Sequence, residues 1–413
     1  MDQYMPIYLN AYPAGKDLSD ECHDKYLKRN LESMTDFDHV NFYGLFEGHK
    51  LIAQAKLIDF DVNLFGKMKK AAGLMALGVH PLEKKKGAAK EMVEGFEKYT
   101  VKSGASLAML LPFRVDFYRN MGYGCGTKID EYHIDTDYLP KGETDKVRFV
   151  PREDIDKMLD CHKEFVRGYH GACYKFEEEV RDFKDDDEGR WLGCYEGEKL
   201  KGYAIFDFQN VSETNYTLNQ MVVRELVYLD GEALGQLLSA IRLQSDLAQT
   251  VVIRSGEGDF HHILQSPQHV DGYYIDFGFM KTNVSAVGTM YKIVDIEGFI
   301  KDTAHREFVN IPLKAGFKIW DELAHEEKKF AIKFEGGKYS YEKWDEGSQK
   351  ADDGHYHAIV EMKLSDFSAL MMGSAEFAPL VRMGAAKIDH EERVKDLDAL
   401  FHVEQKPFTN TDY

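Results

Sequence analysis

In residues 79–92, VHPLEKKKGAAKEM, three lysines run directly into a glycine and two alanines. The pattern Lys84-x-x-Gly87-x-Ala89 lies between an apolar stretch that reads as a strand and a stretch with helical spacing. At such a junction the unpaired backbone N–H groups of the first helical turn, with the positive end of the helix dipole, favour an anion. Gly87, Ala88 and Ala89 carry too little side chain to keep a diphosphate off that backbone, and Lys84, Lys85 and Lys86 add positive charge. The stretch fits neither G-x-x-x-x-G-K-[ST] nor G-x-G-x-x-G, so a nucleoside triphosphate or dinucleotide loop is not indicated. The plain alternative is a solvated charge run at a helix start.

The elements that must position this turn are legible on both sides. Residues 71–79, AAGLMALGV, read as a buried strand that ends at the lysines. Ala88, Met92, Phe96 and Tyr99 then recur at spacings of three to four, one apolar helix face. Ser103-Gly104 stops that helix, and SLAMLL at 106–111 reads as a second buried strand. A short helix over 115–121 closes at Gly122, a C-cap glycine. Strand, helix, strand implies a right-handed crossover and a parallel pair.

Part of this unit occurs twice. Residues 43–57, YGLFEGHKLIAQAKL, and 192–206, LGCYEGEKLKGYAIF, each read as strand, glycine turn, strand, offset by 149 residues. Val79 and Gly87 are eight apart, as are Val227 and Gly235, offset by 148. That period is a duplicated domain, far above solenoid repeats. In the second copy Glu232, Ala233 and Leu234 fall where the lysines stand, and Gly235 is followed by bulky Gln236 and Leu237. A carboxylate in place of cations disfavours phosphate there. After about Tyr291 the pattern changes to short strands and helices joined by charged turns, which reads as a third, α+β domain.

The chain has 413 residues, enough for two to four domains. No run of about 18 uncharged apolar residues marks a membrane span, and MDQYMPIYLN lacks the layout of a secretory signal. Five cysteines, odd in number and never spaced C-x-x-C, argue against a zinc site or a disulfide framework and fit a reducing cytoplasm. The net charge of −19, from 71 acidic and 52 basic residues, argues against nonspecific nucleic-acid binding. It is compatible with a cationic substrate, although solubility alone accounts for it more simply. The acidic segment Glu177-Glu178-Glu179, Asp182 and Asp185-Asp186-Asp187-Glu188 could line a pocket for such a substrate, with a solvated helix and loop as the plain reading. His355-Tyr356-His357 and His261-His262 lack a third ligand nearby, and no metal is expected.

Strand, basic-Gly turn, amphipathic helix, strand and then Phe117-Tyr118-Arg119-Asn120-Met121-Gly122-Tyr123 together resemble the GNAT family of acetyl-CoA-dependent N-acetyltransferases. Lys84 stands where the family turn, [QR]-x-x-G-x-[GA], has Gln or Arg. The resemblance implies a CoA pyrophosphate on the backbone N–H groups of 85–89. It also implies a pantetheine arm paired like a pseudo-strand with Leu77, Gly78 and Val79. Tyr118 would then be the general acid that protonates the leaving thiolate, and the Val79 N–H would polarise the thioester carbonyl. A tandem GNAT followed by a smaller sterol-carrier-like domain, ending in an aromatic residue, resembles the Eis (enhanced intracellular survival) group, whose members include aminoglycoside N-acetyltransferases. That resemblance implies the Tyr413 carboxylate as the base for the amine, and a homo-oligomer, a hexamer in that group.

The expected fold is therefore α+β, mixed α/β: two tandem GNAT folds with splayed mixed sheets and a sterol-carrier-protein-like domain. The expected divisions are 1–142, which binds acetyl-CoA, 143–289 with a degenerate site, and 290–413, whose tail reaches the active site. The expected activity is acetyl transfer to primary amines of a cationic small molecule. A lysine or peptide acetyltransferase, and a non-catalytic acyl-CoA or lipid-binding protein, are the alternatives.

Overall fold

The computed structural model describes residues 1–13, 18–186, 188–345 and 355–411. Two helices open the chain, α1 (Tyr4–Ala11) and α2 (Asp20–Asp36), the second started by Ser19, whose side chain accepts the Cys22 N–H. β1 (Val40–Glu47), β2 (Lys50–Leu64) and β3 (Lys67–Val79) follow as an antiparallel meander. Gly48, at φ 61°, makes the first turn, as its place between the paired strands requires. α3 (Ala88–Lys102) then crosses over to β4 (Leu107–Leu110), parallel to β3, and buries Ala88, Met92, Val93 and Phe96. The short α4 (Val115–Arg119) comes next.

Beyond it the chain builds a second sheet. β5 (Lys128–Asp135), β6 (Val147–Phe149), α5 (Ile155–Gly168), α6 (Glu177–Lys184), β7 (Arg190–Glu196), β8 (Lys199–Asn210), β9 (Asn219–Tyr228), α7 (Gly231–Arg242) and β10 (Ala248–Ser255) follow in order. A small hairpin, β11 (Tyr274–Ile275) and β12 (Phe279–Met280), precedes β13 (Val284–Val287). The strands align as β13-β5-β10-β9-β8-β7-β6, with β9 and β10 the parallel pair. One face of α7 packs Ala233, Leu237 and Ile241 into a core with Leu192, Phe206 and Val251.

β14 (Met290–Ile293) then returns to the first sheet and pairs antiparallel with β4, giving β1-β2-β3-β4-β14. The remaining elements are α8 (Ile296–Asp302), β15 (Leu313–Asp321), β16 (Glu326–Glu335), β17 (Lys338–Lys343), β18 (Ala358–Lys363), α9 (Leu364–Met372), α10 (Phe377–Arg382), β19 (Ala386–Ile388) and α11 (Val394–Phe401). The third sheet runs β17-β16-β15-β18-β19, and all of α9 is buried. Gly373, at φ 78°, ends that helix.

The architecture is mixed α/β, with two splayed-sheet copies and a third α+β part. By contacts the chain divides into two compact units: Met1–Gly126, His170–Cys173 and Thr289–Tyr413 form one, and Thr127–Tyr169 with Tyr174–Gly288 the other. Sheet membership sets this division rather than order along the chain. β5 pairs with β10 and β13, so residues just before 142 lie in the second unit, and β14 completes the first sheet although it follows the second copy. Among the described residues no helix is long and apolar enough to cross a membrane.

Candidate active site

The site is built where two parallel strands part. β3 pairs with β4 only from Ala71/Leu107 to Leu74/Leu110, and from Met75 to Val79 no strand pairs with it on that side among the described residues. The backbone of this open edge has a definite direction. His80 N–H bonds the Ile52 carbonyl at 2.8 Å, so in the antiparallel alternation the next pair, Val79 with Ala53, turns its polar groups away from β2. The Val79 N–H therefore faces the open side, as does the Leu77 carbonyl, which accepts the Tyr12 hydroxyl at 3.1 Å. Between them and β4 the strand is bulged: Ala76 stands at φ 53°, and the register with β2 shifts between Gln54 and Lys56. The Gln54 amide donates to the Ala76 carbonyl at 3.3 Å and holds the bulge. A Cβ at Gly78 would lie 3.1 Å from both Ala11 Cβ and Ile7 Cγ2, a tight contact. Its absence lets α1 press against the strand.

The edge leads into the lysine turn. Gly87, at φ 97°, is the N-cap of α3, and no side chain caps the first-turn N–H groups. Lys85 at φ 65° helps turn the backbone into the helix. Lys84, Lys85, Lys86 and Gly87 are exposed, Ala88 is buried and Ala89 half-buried. Of the three lysines Lys86 is engaged, bonding Glu83 at 2.7 Å, and Lys50 bonds the same carboxylate at 2.6 Å. Hydrogen bonds from Lys50 and Lys86 pull the Glu83 carboxyl down to about 2.

The second copy is closed where the first is open. There the strand–helix loop is only Leu229 and Asp230, and the Asp230 carboxylate accepts the Ala233 N–H at 2.9 Å while pairing with Lys201 at 3.2 Å. A carboxylate of the chain thus occupies the place that an anion would take. The expected match of Gly235 to Gly87 does not hold in the structure. Asp230 starts α7 early, so Gly235 lies inside the helix and Glu232 in its first turn. We expect Asp230→Ala to cost about 1 kcal/mol of stability in urea denaturation and to leave acetyl-CoA affinity unchanged.

Tyr118 lies on α4 with 3% exposure. Phe113, Phe117 and Tyr123 meet its ring edge-on, with centroids 5.8, 5.0 and 5.9 Å away. Its hydroxyl has no hydrogen bond to any described residue, and burial, reinforced by nearby Tyr12, pushes the phenol above its ordinary range. The Tyr118 carbonyl accepts the N–H groups of Met121 and Tyr123, which closes the turn after α4. Gly122, at φ 87°, sits over a buried ammonium: a Cβ there would be 3.0 Å from Lys292 Cε. Lys292 donates to the Met121 carbonyl at 2.9 Å and to Glu97 and Asp321 at 3.0 and 3.3 Å. Tyr123 is wholly buried.

The chain's last described residues are fixed. Phe408 N–H bonds the His170 carbonyl at 3.0 Å, and the Thr411 hydroxyl donates to the Cys173 carbonyl at 3.1 Å. His170 donates through Nε2 to the Met372 carbonyl and accepts the Phe65 N–H at Nδ1, and burial lowers its imidazole to about 4. Tyr413 lies outside the described residues.

Several other candidates are engaged elsewhere. Glu179 and Glu225 bond buried Lys175, each at 3.1 Å, and Asp186 pairs with Arg224. These pairs engage Glu179 and Asp186 of the acidic segment; Asp187 lies outside the described residues. His355 pairs with Asp345 at 2.8 Å, and His357 Nδ1 accepts the Lys314 N–H. Among the described residues no three His, Cys, Asp or Glu side chains converge as a metal site requires. Sequence reading missed Tyr12 and Lys292. For Tyr12 the only signal is its place in Tyr4, Tyr8, Tyr12, one face of the first helix.

Comparison with known proteins decides what this open edge belongs to. Residues 13–126 match a family model described as an acetyltransferase (GNAT) domain, and residues 174–281 match a second model with the same description. Together they span more than half of the chain. The chain belongs to the GNAT acetyltransferases. Residues 299–410 of this GNAT enzyme match a sterol carrier protein domain model. GNAT domains use acetyl-CoA as co-substrate. A search of curated proteins returns no match. Among solved structures, a GCN5-related N-acetyltransferase from Anabaena variabilis superposes with TM-score 0.78 at 15% identity, covering 100% of this chain and 97% of that one. A probable N-acyltransferase of unknown function from Enterococcus faecalis gives 0.76 at 18%, covering 100% and 96%. Eis1 from Mycobacterium abscessus gives 0.74 at 16%, covering 100% and 97%. At these identities the likeness is one of fold, shared along the whole GNAT chain.

Proposed function

We propose that this GNAT acetyltransferase acetylates primary amines of a cationic small molecule of the aminoglycoside type, using acetyl-CoA held by the first copy alone. The observation that carries the reading is the contrast between the two strand–helix junctions. Gly87 leaves the α3 terminus open to a phosphate, whereas Asp230 fills the equivalent place with the chain's own carboxylate. Lys84 and Lys85 are free to meet the phosphates directly, and Lys86 does so on leaving Glu83. The pantetheine arm lies along Leu77, Gly78 and Val79, with Ala88 and Ala89 letting the diphosphate reach the backbone. The Val79 N–H polarises the thioester carbonyl.

The acceptor amine attacks that carbonyl directly, the C–S bond breaks, and Tyr118 gives its proton to the departing thiolate. The proton lost by the amine passes to the Tyr413 carboxylate. What supports the last role is the anchoring of the tail at Thr411, in the same compact unit as Tyr118. The part from 290 onward then delivers the tail. A net charge of −19 favours a polycationic acceptor. A homo-oligomer in the cytoplasm completes the proposal.

Thiol release from acetyl-CoA across a panel of aminoglycosides, polyamines and lysine peptides tests the substrate class. Turnover is expected with the aminoglycosides. Turnover with peptides alone overturns the small-molecule assignment, and acyl-CoA or lipid binding without any thiol release overturns the enzyme. A short extension beyond Tyr413 is expected to lower turnover at least tenfold while the acetyl-CoA Kd stays the same. An extended protein with the original rate removes Tyr413 from the mechanism.

A further inference from the structure

The first GNAT match begins at residue 13, and α1 lies ahead of it. This helix nevertheless packs on a face of β3 at Gly78, where a Cβ would lie 3.1 Å from both Ala11 Cβ and Ile7 Cγ2. Its C-cap residue, Tyr12, reaches the same strand one residue earlier and donates its hydroxyl to the Leu77 carbonyl at 3.1 Å. That carbonyl faces the side of β3 that β4 has left, where no strand satisfies it. The chain therefore meets one acceptor of the open edge with a side chain from sixty-five positions away.

We propose that Tyr12 is a positioning residue that competes with acetyl-CoA for this edge: its hydroxyl holds the Leu77 carbonyl in the free enzyme and yields it to an amide N–H of the pantetheine arm. This rests on the reading above, in which the arm pairs with residues 77–79. The exchange trades one hydrogen bond for another, so it makes binding weaker than an unoccupied edge would allow. Its use lies after the chemistry. CoA still carries the pantetheine arm when its acetyl group has gone, and a phenol ready to retake Leu77 shortens its stay, a step that often limits turnover. Burial raises the Tyr12 phenol to about 12, so it remains a neutral donor throughout the working range.

Tyr12→Phe keeps the ring and removes the donor. Calorimetry on the full chain is expected to show acetyl-CoA and CoA binding tighter by about 2–10-fold, the worth of one exchanged hydrogen bond. Adenosine 3′,5′-bisphosphate, the CoA fragment without the pantetheine arm and its adjoining phosphate, is expected to bind both proteins equally. A disturbed fold would weaken all three ligands and so cannot imitate this pattern. Unchanged or weaker acetyl-CoA binding in the variant overturns the inference, as does a change shared by adenosine bisphosphate. Failure of the unaltered protein to bind acetyl-CoA at all instead sinks the proposed activity.

Discussion

Tyr118→Phe is expected to lower kcat by roughly 10²–10⁴-fold, the usual worth of a positioned general acid, with the acetyl-CoA Kd unchanged. The ring would stay in place, since its contacts with Phe113, Phe117 and Tyr123 need no hydroxyl. Only the proton donor is lost. A phenol raised by burial is a weak acid, and in water it would protonate a thiolate with difficulty. In the proposed reaction, however, the departing thiolate forms in the same dry surroundings, and burial raises its proton affinity as well. The raised phenol also stays protonated at every ordinary assay pH, so Tyr118 contributes no limb to the pH–rate profile below about pH 10. Rates in the variant should be rescued by acceptors only if their own acidic groups can supply the proton. A Tyr118→Phe enzyme with full kcat on acetyl-CoA and an aminoglycoside would remove the residue from the mechanism.

The parts of this site written in consecutive residues were legible in the sequence. The junction of strand, Lys84-x-x-Gly87 and apolar helix is local, and so is the turn from Tyr118 to Gly122. The two hairpins with turns at Gly48 and Gly197 were readable for the same reason. The second copy shows how local reading fails. Gly235 was matched to Gly87 by spacing, but the helix start is decided by which side chain caps it, and Asp230 does so five residues earlier. Strand membership was harder still. Nothing in MYKI at 290–293 announces that β4, some 180 positions earlier, is its partner. Tyr12 is recognised only through Leu77, and Lys292 only through Glu97, 195 positions away. Pairings of that length depend on the completed fold, so residue types and spacing do not name the partner.

Lys292→Ala is expected to be the most damaging single change outside the reaction centre. Its ammonium is 1% exposed and bonds Glu97, Asp321 and the Met121 carbonyl. Removing one member of a buried ion pair costs about 3–5 kcal/mol because the partner is left charged and dry. At roughly 2–4 °C per kcal/mol, the melting temperature should fall by about 6–20 °C. The loss should depend on pH in a particular sense. Asp321 keeps Lys328 at 2.7 Å, but Glu97 loses its only cation at hydrogen-bond distance among the described residues. Burial, partly offset by Lys292, raises the Glu97 carboxyl to about 7. A carboxyl raised on folding holds a proton that the unfolded chain releases near pH 4.3. Its contribution to stability is therefore complete below that pH and is lost as pH rises through about 7. Without Lys292 the carboxyl rises further, so the variant should lose more at pH 8 than at pH 5. Glu97→Gln removes the titration while its amide oxygen still accepts from Lys292, so its melting temperature should vary less between those two pH values than the parent's. The lysine also supports the turn that holds Tyr118, because Met121 and Gly122 rest on it. Lys292→Ala should accordingly lose kcat even at a temperature where it is fully folded, whereas Glu97→Gln should keep most of it. Equal melting of parent and Lys292→Ala at pH 8 would mean that the buried charges are not coupled as their geometry requires.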